Sequence, residues 1–202
     1  MARYTGPKYK LCRREGINLF GNEKFNKGKK TYGPGQHGPK NVFAKPSEYA
    51  RQLREKQKLK RLFGVSEKQM RNYYDEASKK KEITGNALLK ILEARLDNVI
   101  YKSGLASTRP QARQIVNHGH ISVNGVRVNI PSYQIKVGDK FQVIEKIKKS
   151  PLYSELDKQK FAPAKWLKVD LKNCNGEVTR ALEVQDLEQA VQTSLVVEYY
   201  SK

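Results

Sequence analysis

Residues 95–143 decide the fold of this chain, and they read RLDNVIYKSGLASTRPQARQIVNHGHISVNGVRVNIPSYQIKVGDKFQV. At the centre of the stretch, two short segments of alternating apolar and polar residues flank the pair Asn124-Gly125. Asparagine and glycine supply the two positive φ angles of a type I′ turn, so these segments are predicted to form a hairpin. A second pair of strands is predicted at 133–137 and 140–144. The stretch therefore predicts a small antiparallel sheet.

Two helices are predicted to precede this sheet. The first is marked by apolar residues at helical spacing over 88–99, and it is expected to end at Ser103-Gly104. The second begins at a capping box formed by Thr108 and Gln111, has a proline in its first turn, and ends before Gly119. The predicted unit is helix, helix, small antiparallel sheet.

Further upstream, the sequence predicts a helix with one basic side. Ser47 is its predicted N-cap and Gly64 its C-terminal stop, and a capping box of Ser66 with Gln69 begins the next helix. At about 100° per residue, four cations without an interleaved acid share an arc of about 80°: Arg51, Arg54, Lys58 and Arg61. Apolar side chains gather on the opposite side: Tyr49, Leu53 and Phe63. That side is predicted to pack, and the basic side to bind a polyanion or to remain solvated.

Residues 1–46 are predicted to form a basic arm that a partner orders. The stretch GKKTYGPGQHGPK interrupts any helical period and apolar anchors are few, so ordered structure is expected to begin at Ser47. Six aromatic residues are interleaved with the cations of the arm: Tyr4, Tyr9, Phe20, Phe25, Tyr32 and Phe43. Such a pattern suits a surface that neutralises phosphates and stacks on bases. A merely solvated tail is the alternative.

The charge of the chain indicates a polyanionic partner. The net charge is +20 over 202 residues, with 17 basic and 4 acidic residues in 1–63, 16 and 8 in 64–150, and 7 and 8 in 151–202. Nucleic-acid phosphates and anionic membranes attract such a chain, but no stretch approaches the roughly 20 apolar residues of a membrane span. Two cysteines are too few for a disulfide framework, and the N-terminal residues lack the apolar segment of a secretion signal. A reducing intracellular or organellar location is therefore predicted, with no membrane partner.

The stretch 95–143 resembles the S4 domain, a small RNA-binding module. The resemblance extends over nearly the whole chain, through MARYTGPKYKLCRREGINLF, GPGQHG, QLREKQKLKRLFGVSEKQMRNYY and LVVEYYSK, to the family of bacterial-type small-subunit ribosomal protein S4, the uS4 family. It implies an α+β fold with a basic N-terminal arm, a helical domain and an S4 module of two helices on a small antiparallel sheet. The implied parts are the arm at 1–46, the helical domain at 47–92, the S4 RNA-binding domain at 93–150, and a strand and helix segment at 151–202 that packs back on the helical domain.

The family resemblance also implies a role. Its members are structural constituents of the small ribosomal subunit that bind 16S-type rRNA early in assembly of the 5′ domain. They neighbour ribosomal proteins S5 and S3 near the mRNA entrance and contribute to translational accuracy. A bacterial cytoplasm and an organelle that retains this bacterial-type gene are both open as locations. Some members hold zinc with four cysteines in the arm, whereas this chain has Tyr9 at the first of those positions and keeps Cys12 alone. No metal and no cofactor are therefore predicted.

Thirteen residues are predicted to contact RNA. Dense like charges need a polyanion between them, and the free N–H groups in the first turn of a helix favour phosphate. The predicted residues are Arg3, Lys8, Lys10, Arg13 and Arg14 in the arm, Arg51, Arg54, Lys58 and Arg61 on the basic helix, and Arg109, Arg113, His118 and Arg127 in the S4 module. For Arg95 and Asp97, an internal ion pair and an RNA contact are both open, and Asp97 is left out of the site.

The sequence leaves two alternatives to a ribosomal constituent. Residues 94–97, Ala-Arg-Leu-Asp, are similar to the motif around the catalytic aspartate of some pseudouridine synthases, but they fall inside a predicted helix. The rest of the chain is too short and too basic for a catalytic domain, and it offers no nucleophile with a nearby base, so the protein is predicted not to be an enzyme. A free-standing S4-domain RNA-binding or assembly factor remains the alternative, and stable co-sedimentation with mature small subunits distinguishes it.

Overall fold

The computed structural model describes residues 4–21, 23–28, 30, 32–40, 45–154 and 162–202, with the side chains of Glu23 and Ser154 left out. Internal contacts divide the chain into two units. The first unit is Met1–Gly85 with Gln189–Lys202, and the second unit is Asn86–Glu188. Within the described ranges, no helix is both long enough and apolar enough to cross a bilayer.

The first unit is helical. Its helices are α1 (Lys8–Glu15), α2 (Glu23–Asn26), α3 (Glu48–Phe63) and α4 (Glu67–Ser78), together with α10 (Thr193–Tyr200) from the end of the chain. The predicted caps of α3 are confirmed: the Ser47 hydroxyl accepts from the amide of Ala50, and Gly64 ends the helix at a φ of +62°. The capping box of Ser66 with Gln69 at the start of α4 is confirmed as well. The terminal helix α10 packs against α3 and also contacts α4.

The prediction that ordered structure begins at Ser47 was wrong, because α1 and α2 lie within the arm. Leu11 and Cys12 are buried on one side of α1, and Leu19 is buried after it. The composition of the arm suggested too few apolar residues to form a core. A single turn of apolar side chains is nevertheless enough to stabilise a short helix when that turn packs on another element. Of the aromatic residues of the arm, Phe43 lies outside the described residues.

The packing face of α3 is rotated from the predicted one. Tyr49 is 55% exposed and Leu53 is half-buried, whereas Phe63 is buried as expected. The buried side chains of α3 are Gln52, Lys56, Leu59, Leu62 and Phe63. Two of them are polar, and each has a partner outside α3: Gln52 donates to Glu198 at 2.9 Å, and Lys56 donates to Glu67 at 2.8 Å. A buried polar group is tolerated when it is hydrogen-bonded, and a hydrophobic pattern does not reveal this.

A charged cluster fastens α4 and α10 to α3. The Glu67 carboxylate accepts from Lys56 Nζ at 2.8 Å, Lys60 Nζ at 3.0 Å and the Tyr200 hydroxyl at 2.9 Å. Lys56 Nζ also lies 4.4 Å from the centre of the Tyr199 ring, which adds a cation–π contact. Partial burial of Glu67 opposes its ionisation, but the three hydrogen bonds outweigh this cost and lower the pKa of Glu67 to about 2.

Replacing Glu67 by glutamine should therefore destabilise the protein in a pH-dependent way. Because the folded-state pKa lies below the ordinary value of 4.5, the stabilisation is fully present above pH 4.5 and is lost as the pH falls towards 2. At pH 7 we expect a loss of up to about 1 kcal/mol, since ion pairs as exposed as these are screened by solvent. Thermal unfolding of wild type and Glu67→Gln between pH 7 and pH 3 measures this loss of stability. Glu76→Gln on the same helix is the control, and a difference between Glu67→Gln and wild type that does not shrink with falling pH would contradict the assignment.

The second unit combines helices with one sheet, so the α+β prediction is confirmed. Its helices are α5 (Thr84–Glu93, which begins at the boundary), α6 (Leu96–Lys102), α7 (Arg109–Asn117), α8 (Glu145–Lys148) and α9 (Pro151–Ser154), with a 3-10 turn at Val184–Asp186. Its strands are β1 (Ile121–Val123), β2 (Val126–Val128), β3 (Lys140–Val143), β4 (Leu167–Asp170) and β5 (Asn175–Val178). The strand order is β2-β1-β3-β5-β4, and all neighbouring strands are antiparallel. Val99, Ile115, Phe141 and Trp166 belong to one continuous core between the helices and the sheet.

Local signals at α7 and the first hairpin are confirmed. The Thr108 hydroxyl accepts from the amide of Gln111 at the start of α7. The β1–β2 turn places Asn124 at a φ of +49° and Gly125 at +84°, as a type I′ turn requires. These features depend on residues within one turn of each other, so the sequence was sufficient to predict them.

The prediction of one helix over the 88–99 period was wrong. The helix α5 ends at Glu93, Arg95 is extended with a ψ of 138°, and α6 begins at Leu96. The break is held by a segment further along the chain, because Ala94 O accepts from the amide of Ile135 at 2.9 Å. The apolar residues keep a period of 3.6 across this break, so the sequence pattern does not show it. Only the hydrogen bond to a distant segment reveals the break.

The same contacts explain why no strand forms at 133–137. The carbonyl of Tyr133 accepts from the amide of Leu96 at 2.8 Å, and Gln134 forms an isolated bridge with Arg95. The backbone groups predicted to pair with β3 are therefore occupied by the bend between α5 and α6. The strand predicted at 140–144 is present as β3, but its neighbours in the sheet are β1 and β5.

The C-terminal segment differs from the prediction that residues 151–202 pack back on the helical domain. The strand predicted within 151–202 corresponds to β4, but β4 and β5 extend the sheet of the second unit through β3. In that pairing, Phe141 lies opposite Gly176, whose missing side chain leaves room for the aromatic ring. Of this segment, only 189–202, which contains α10, belongs to the first unit.

Candidate nucleic-acid interface

The described cations of the arm divide into exposed and internally bound ones. Lys8, Lys10 and Arg14 are exposed on α1, with Lys8 Nζ 5.8 Å from the centre of the Phe20 ring. Arg13 is half-buried: it donates to the carbonyls of Tyr32 at 3.0 Å and Gly33 at 3.1 Å. Its guanidinium also lies 5.7 and 5.0 Å from the ring centres of Tyr9 and Tyr32. Arg13 thus holds the arm together, and Arg3 lies outside the described residues.

The basic arc of α3 has carboxylate partners that the sequence pattern did not reveal. Arg54 and Arg61 both donate to Oε1 of Glu15, the last residue of α1, with the Arg54 contact at 3.3 Å. Lys58 pairs with Glu55 one turn earlier on α3. Arg51 is the most exposed member of the arc, and its nearest carboxylate, Glu48, is 3.9 Å away. The structure therefore brings the four cations together as predicted, with α1 beside them.

Glu15 was missed as a member of this surface. Its side chain is 0% exposed, and burial raises its pKa although Arg54, Arg61 and Lys58 lower it. The available signal was the spacing of Leu11, Cys12 and Glu15, which places all three on one side of an amphipathic turn. We name the arc of Arg51, Arg54, Lys58 and Arg61, with Glu15 beneath it, the α3 basic surface.

In the second unit, the two cations predicted on α7 are engaged inside the protein. Arg109 donates to Asn98 at 3.0 Å and to Glu188 at 2.9 Å, and its guanidinium lies 4.6 Å from the ring centre of Tyr101. Its side chain is 14% exposed, which leaves a small edge at the surface. These contacts fix the first turn of α7 within the module.

Arg113 belongs to a buried ion network around Asp97. Its Nη1 lies 3.1 Å from Asp97 Oδ2, and Arg95 donates to the same carboxylate at 3.0 and 2.6 Å. Arg95 is completely buried and Asp97 is 5% exposed. Of the two readings left open for Arg95 and Asp97, the structure shows the internal ion pair.

His118 ends α7, and the side chain of Arg127 on β2 reaches the same place. Both are exposed, and the guanidinium of Arg127 donates to the carbonyls of Gly119 at 2.8 Å and His118 at 3.0 Å, which closes the helix terminus. The His120 ring is 5.9 Å from that of His118, and its Nδ1 is 2.9 Å from the Tyr153 hydroxyl. Burial, together with the nearby His118 and Arg127, lowers the pKa of His120, which lies beside these two predicted RNA contacts.

Possible metal ligands are scattered in the parts of the chain that the structure describes. Cys12 and Cys174 are both buried. Cys12 Sγ lies 4.0 Å from the side-chain oxygen of Asn18, and Cys174 Sγ lies 3.4 Å from the carbonyl of Leu171. Among the described residues, no three His, Cys, Asp or Glu side chains are grouped so that they could hold a metal ion. A structural zinc site needs four such ligands at fixed geometry.

Comparison with known proteins defines the class and then the family. Residues 94–141 match the profile of the S4 domain, and residues 3–93 match that of the ribosomal protein S4/S9 N-terminal domain. The basic helical unit and the sheet-containing module thus define a ribosomal protein of the S4 class, with an S4 RNA-binding domain. Relatives from three organisms are each named small ribosomal subunit protein uS4 and are aligned over all of both chains. They come from Natranaerobius thermophilus (49% identical over 210 residues), Thermus thermophilus (45% over 212) and Vesicomyosocius okutanii (49% over 209). The chain belongs to the uS4 family of small ribosomal subunit proteins.

This membership confirms the family resemblance seen in the sequence. It also supports a structural, non-enzymatic role in the small ribosomal subunit.

Proposed function

We propose that the protein is a primary 16S-type rRNA-binding constituent of the small ribosomal subunit. The observation that carries the proposal is the α3 basic surface, four cations on one arc of one helix with partly exposed side chains. A phosphate bound there releases condensed counterions, which is the main source of affinity in such complexes. The net charge of +20 adds attraction at long range.

The predicted RNA-binding residues take two roles in this proposal. Cations of α1 and of the α3 basic surface contact phosphates directly, from the exposed Lys8, Lys10, Arg14 and Arg51 to the partly buried Arg54, Lys58 and Arg61. His118 and Arg127 do so beside the end of α7. Arg13, Arg109 and Arg113 hold their segments in shape through internal hydrogen bonds and present only an edge to RNA. Arg3 stays a prediction from the sequence. A protein that binds several rRNA helices at once restricts their relative directions and lets later proteins join.

The proposed context follows the family resemblance. The protein would bind early in assembly of the 5′ domain, neighbour ribosomal proteins S5 and S3 near the mRNA entrance, and contribute to translational accuracy. Its location would be the small subunit of a cytoplasmic ribosome or of an organellar one. A free-standing assembly factor is the competing proposal, and co-sedimentation with mature, salt-washed small subunits supports the constituent role, whereas release before maturation supports the factor.

Changing Arg54 and Lys58 together to glutamine tests the role of the α3 basic surface. Loss of two phosphate contacts should reduce the slope of log K against log salt by about 1.4 to 1.8 for a 5′-domain rRNA fragment. Stability should fall by only about 1 kcal/mol, because Arg61 still donates to Glu15. Filter binding at several salt concentrations gives the slope, and calorimetry gives the stability.

The matched control is Lys79→Gln with Lys81→Gln, which removes two exposed cations just after α4. It should change the slope less than the variant of the α3 basic surface does. If both double variants lower the slope equally, affinity depends on net charge alone. An unchanged slope in the α3 variant would place the RNA surface elsewhere.

A further inference from the structure

Glu15 is an enclosed carboxylate among cations. Its side chain is 0% exposed, Oε1 accepts from both Arg54 and Arg61, and Oε2 has no hydrogen-bond partner within the described residues. Lys58 is a third cation close enough to lower its pKa. A single acid at the end of α1 thus meets three basic side chains of α3.

Stability alone does not account for a glutamate at this place. A buried ion pair repays little more than the cost of removing its charges from water, and a neutral side chain of similar shape often replaces it without loss. Here burial is costly enough to raise the pKa of Glu15 despite the neighbouring cations. The carboxylate therefore needs another explanation, and the conformation of its two arginine partners supplies one.

The carboxylate makes two arginines converge. Arg54 and Arg61 are separated by seven residues, about 10 Å along the helix, yet both reach the same oxygen atom. A guanidinium carries five N–H donors in a planar fork, so one donor can face the carboxylate while others point elsewhere. The Arg54 side chain is 38% exposed and that of Arg61 is 23% exposed, which leaves an outer edge on each.

We propose that Glu15 is a positioning residue of the RNA interface: it does not contact RNA, and it holds Arg54 and Arg61 in one orientation with their outer edges towards phosphates. Ordering a long side chain on binding costs conformational entropy, and an arginine that is already held avoids that cost. A fixed pair of guanidiniums also favours one spacing of phosphates over others. The inference rests on the proposed rRNA-binding function and deepens it.

Charge counting alone predicts a different result, which makes the inference testable. Glu15→Gln removes a negative charge from a basic surface, so simple electrostatics predicts tighter binding to every RNA. Positioning predicts a weaker preference for the correct RNA. The control is Glu48→Gln, which removes the same charge at an exposed site on α3, where the contact with Arg51 is 3.9 Å long.

The experiment measures dissociation constants of full-length wild type, Glu15→Gln and Glu48→Gln for two RNAs at several salt concentrations. One RNA is a 5′-domain fragment of small-subunit rRNA, and the other is an unrelated structured RNA of equal length. We expect Glu15→Gln to lower the specificity ratio by about tenfold, the size of one or two lost ordered contacts, and Glu48→Gln to leave it unchanged. Equal specificity ratios for Glu15→Gln and Glu48→Gln would overturn this inference but not the proposed function. A wild type without preference for the rRNA fragment would overturn the proposed function and this inference together.

Two further measurements separate positioning from a general structural role. Side-chain ¹⁵N relaxation of the arginine Nε groups, at a temperature where both proteins are folded, should show Arg54 and Arg61 more mobile in Glu15→Gln. Arg54→Lys keeps the charge but loses the planar fork of donors. It should lower the specificity ratio when Glu15 is present, and it should lower that ratio little further when it is combined with Glu15→Gln. Unchanged mobility, or effects of the two substitutions that simply add, would overturn the inference.

Discussion

Replacing Asp97 by alanine is expected to destabilise the second unit by about 3–5 kcal/mol, the usual cost of removing one partner from a buried ion pair. Asp97 receives hydrogen bonds from Arg95 at 3.0 and 2.6 Å and from Arg113 at 3.1 Å. Arg95 is 0% exposed, so its guanidinium would lose the carboxylate that offsets its burial. Urea denaturation followed by circular dichroism measures the change.

The control for this variant is Glu145→Ala, which removes an exposed acid from the same unit. It should leave the denaturation midpoint nearly unchanged, as exposed substitutions usually do. A second comparison replaces Arg95 by methionine and Asp97 by leucine together. It should recover part of the loss, because the fully buried guanidinium is removed and only Arg113, whose side chain is 11% exposed, then loses its contact with Asp97. If Asp97→Ala unfolds within about 1 kcal/mol of wild type, the ion network does not stabilise the module.

Neutralising the exposed cations of α1 should have the largest effect on RNA binding. In a variant with Lys8, Lys10 and Arg14 changed to glutamine, three lost phosphate contacts reduce the salt slope by about 2.1 to 2.7. At about 0.1 M salt this corresponds to a loss of roughly 100- to 500-fold in affinity. Deleting residues 1–45 would remove these cations too, but it would also remove Glu15 and the buried side of α1, so the triple substitution isolates the charges.

The control for the arm is a triple change of Lys79, Lys80 and Lys81 to glutamine, which removes three exposed cations elsewhere in the first unit. Binding of the 5′-domain rRNA fragment across salt concentrations compares the two variants. A slope for the α1 variant equal to that of wild type would show that α1 lies away from RNA. Equal losses in both variants would show that the arm contributes only general charge.

The elements that could be predicted from the sequence are those with local causes. The caps at Ser47 and Thr108 and the Asn124-Gly125 turn each depend on hydrogen bonds or φ angles within a few residues. The class of protein could be predicted as well, because the S4 domain is a continuous stretch with its own motifs. The net charge of +20 indicated a polyanionic partner without any structure.

The incorrect predictions share a different cause, which is contact between distant segments. The apolar period continues across the bend at Arg95, but a hydrogen bond between Ala94 and Ile135 breaks the helix there. The β4–β5 hairpin adds to β3 although the sequence does not say which sheet edge it would meet. Pairing of this kind is decided by which edges and faces remain open after collapse, and no local pattern encodes it.

The candidate site shows the same division within a single surface. Helical periodicity in the sequence alone determined that Arg51, Arg54, Lys58 and Arg61 share one arc of α3. Only the tertiary structure decided what those cations meet, because Glu15 is 39 residues from Arg54 in the chain and is brought beside it by the packing of α1. Periodicity fixes directions within one element, whereas the partner of a charged side chain depends on how separate elements come together.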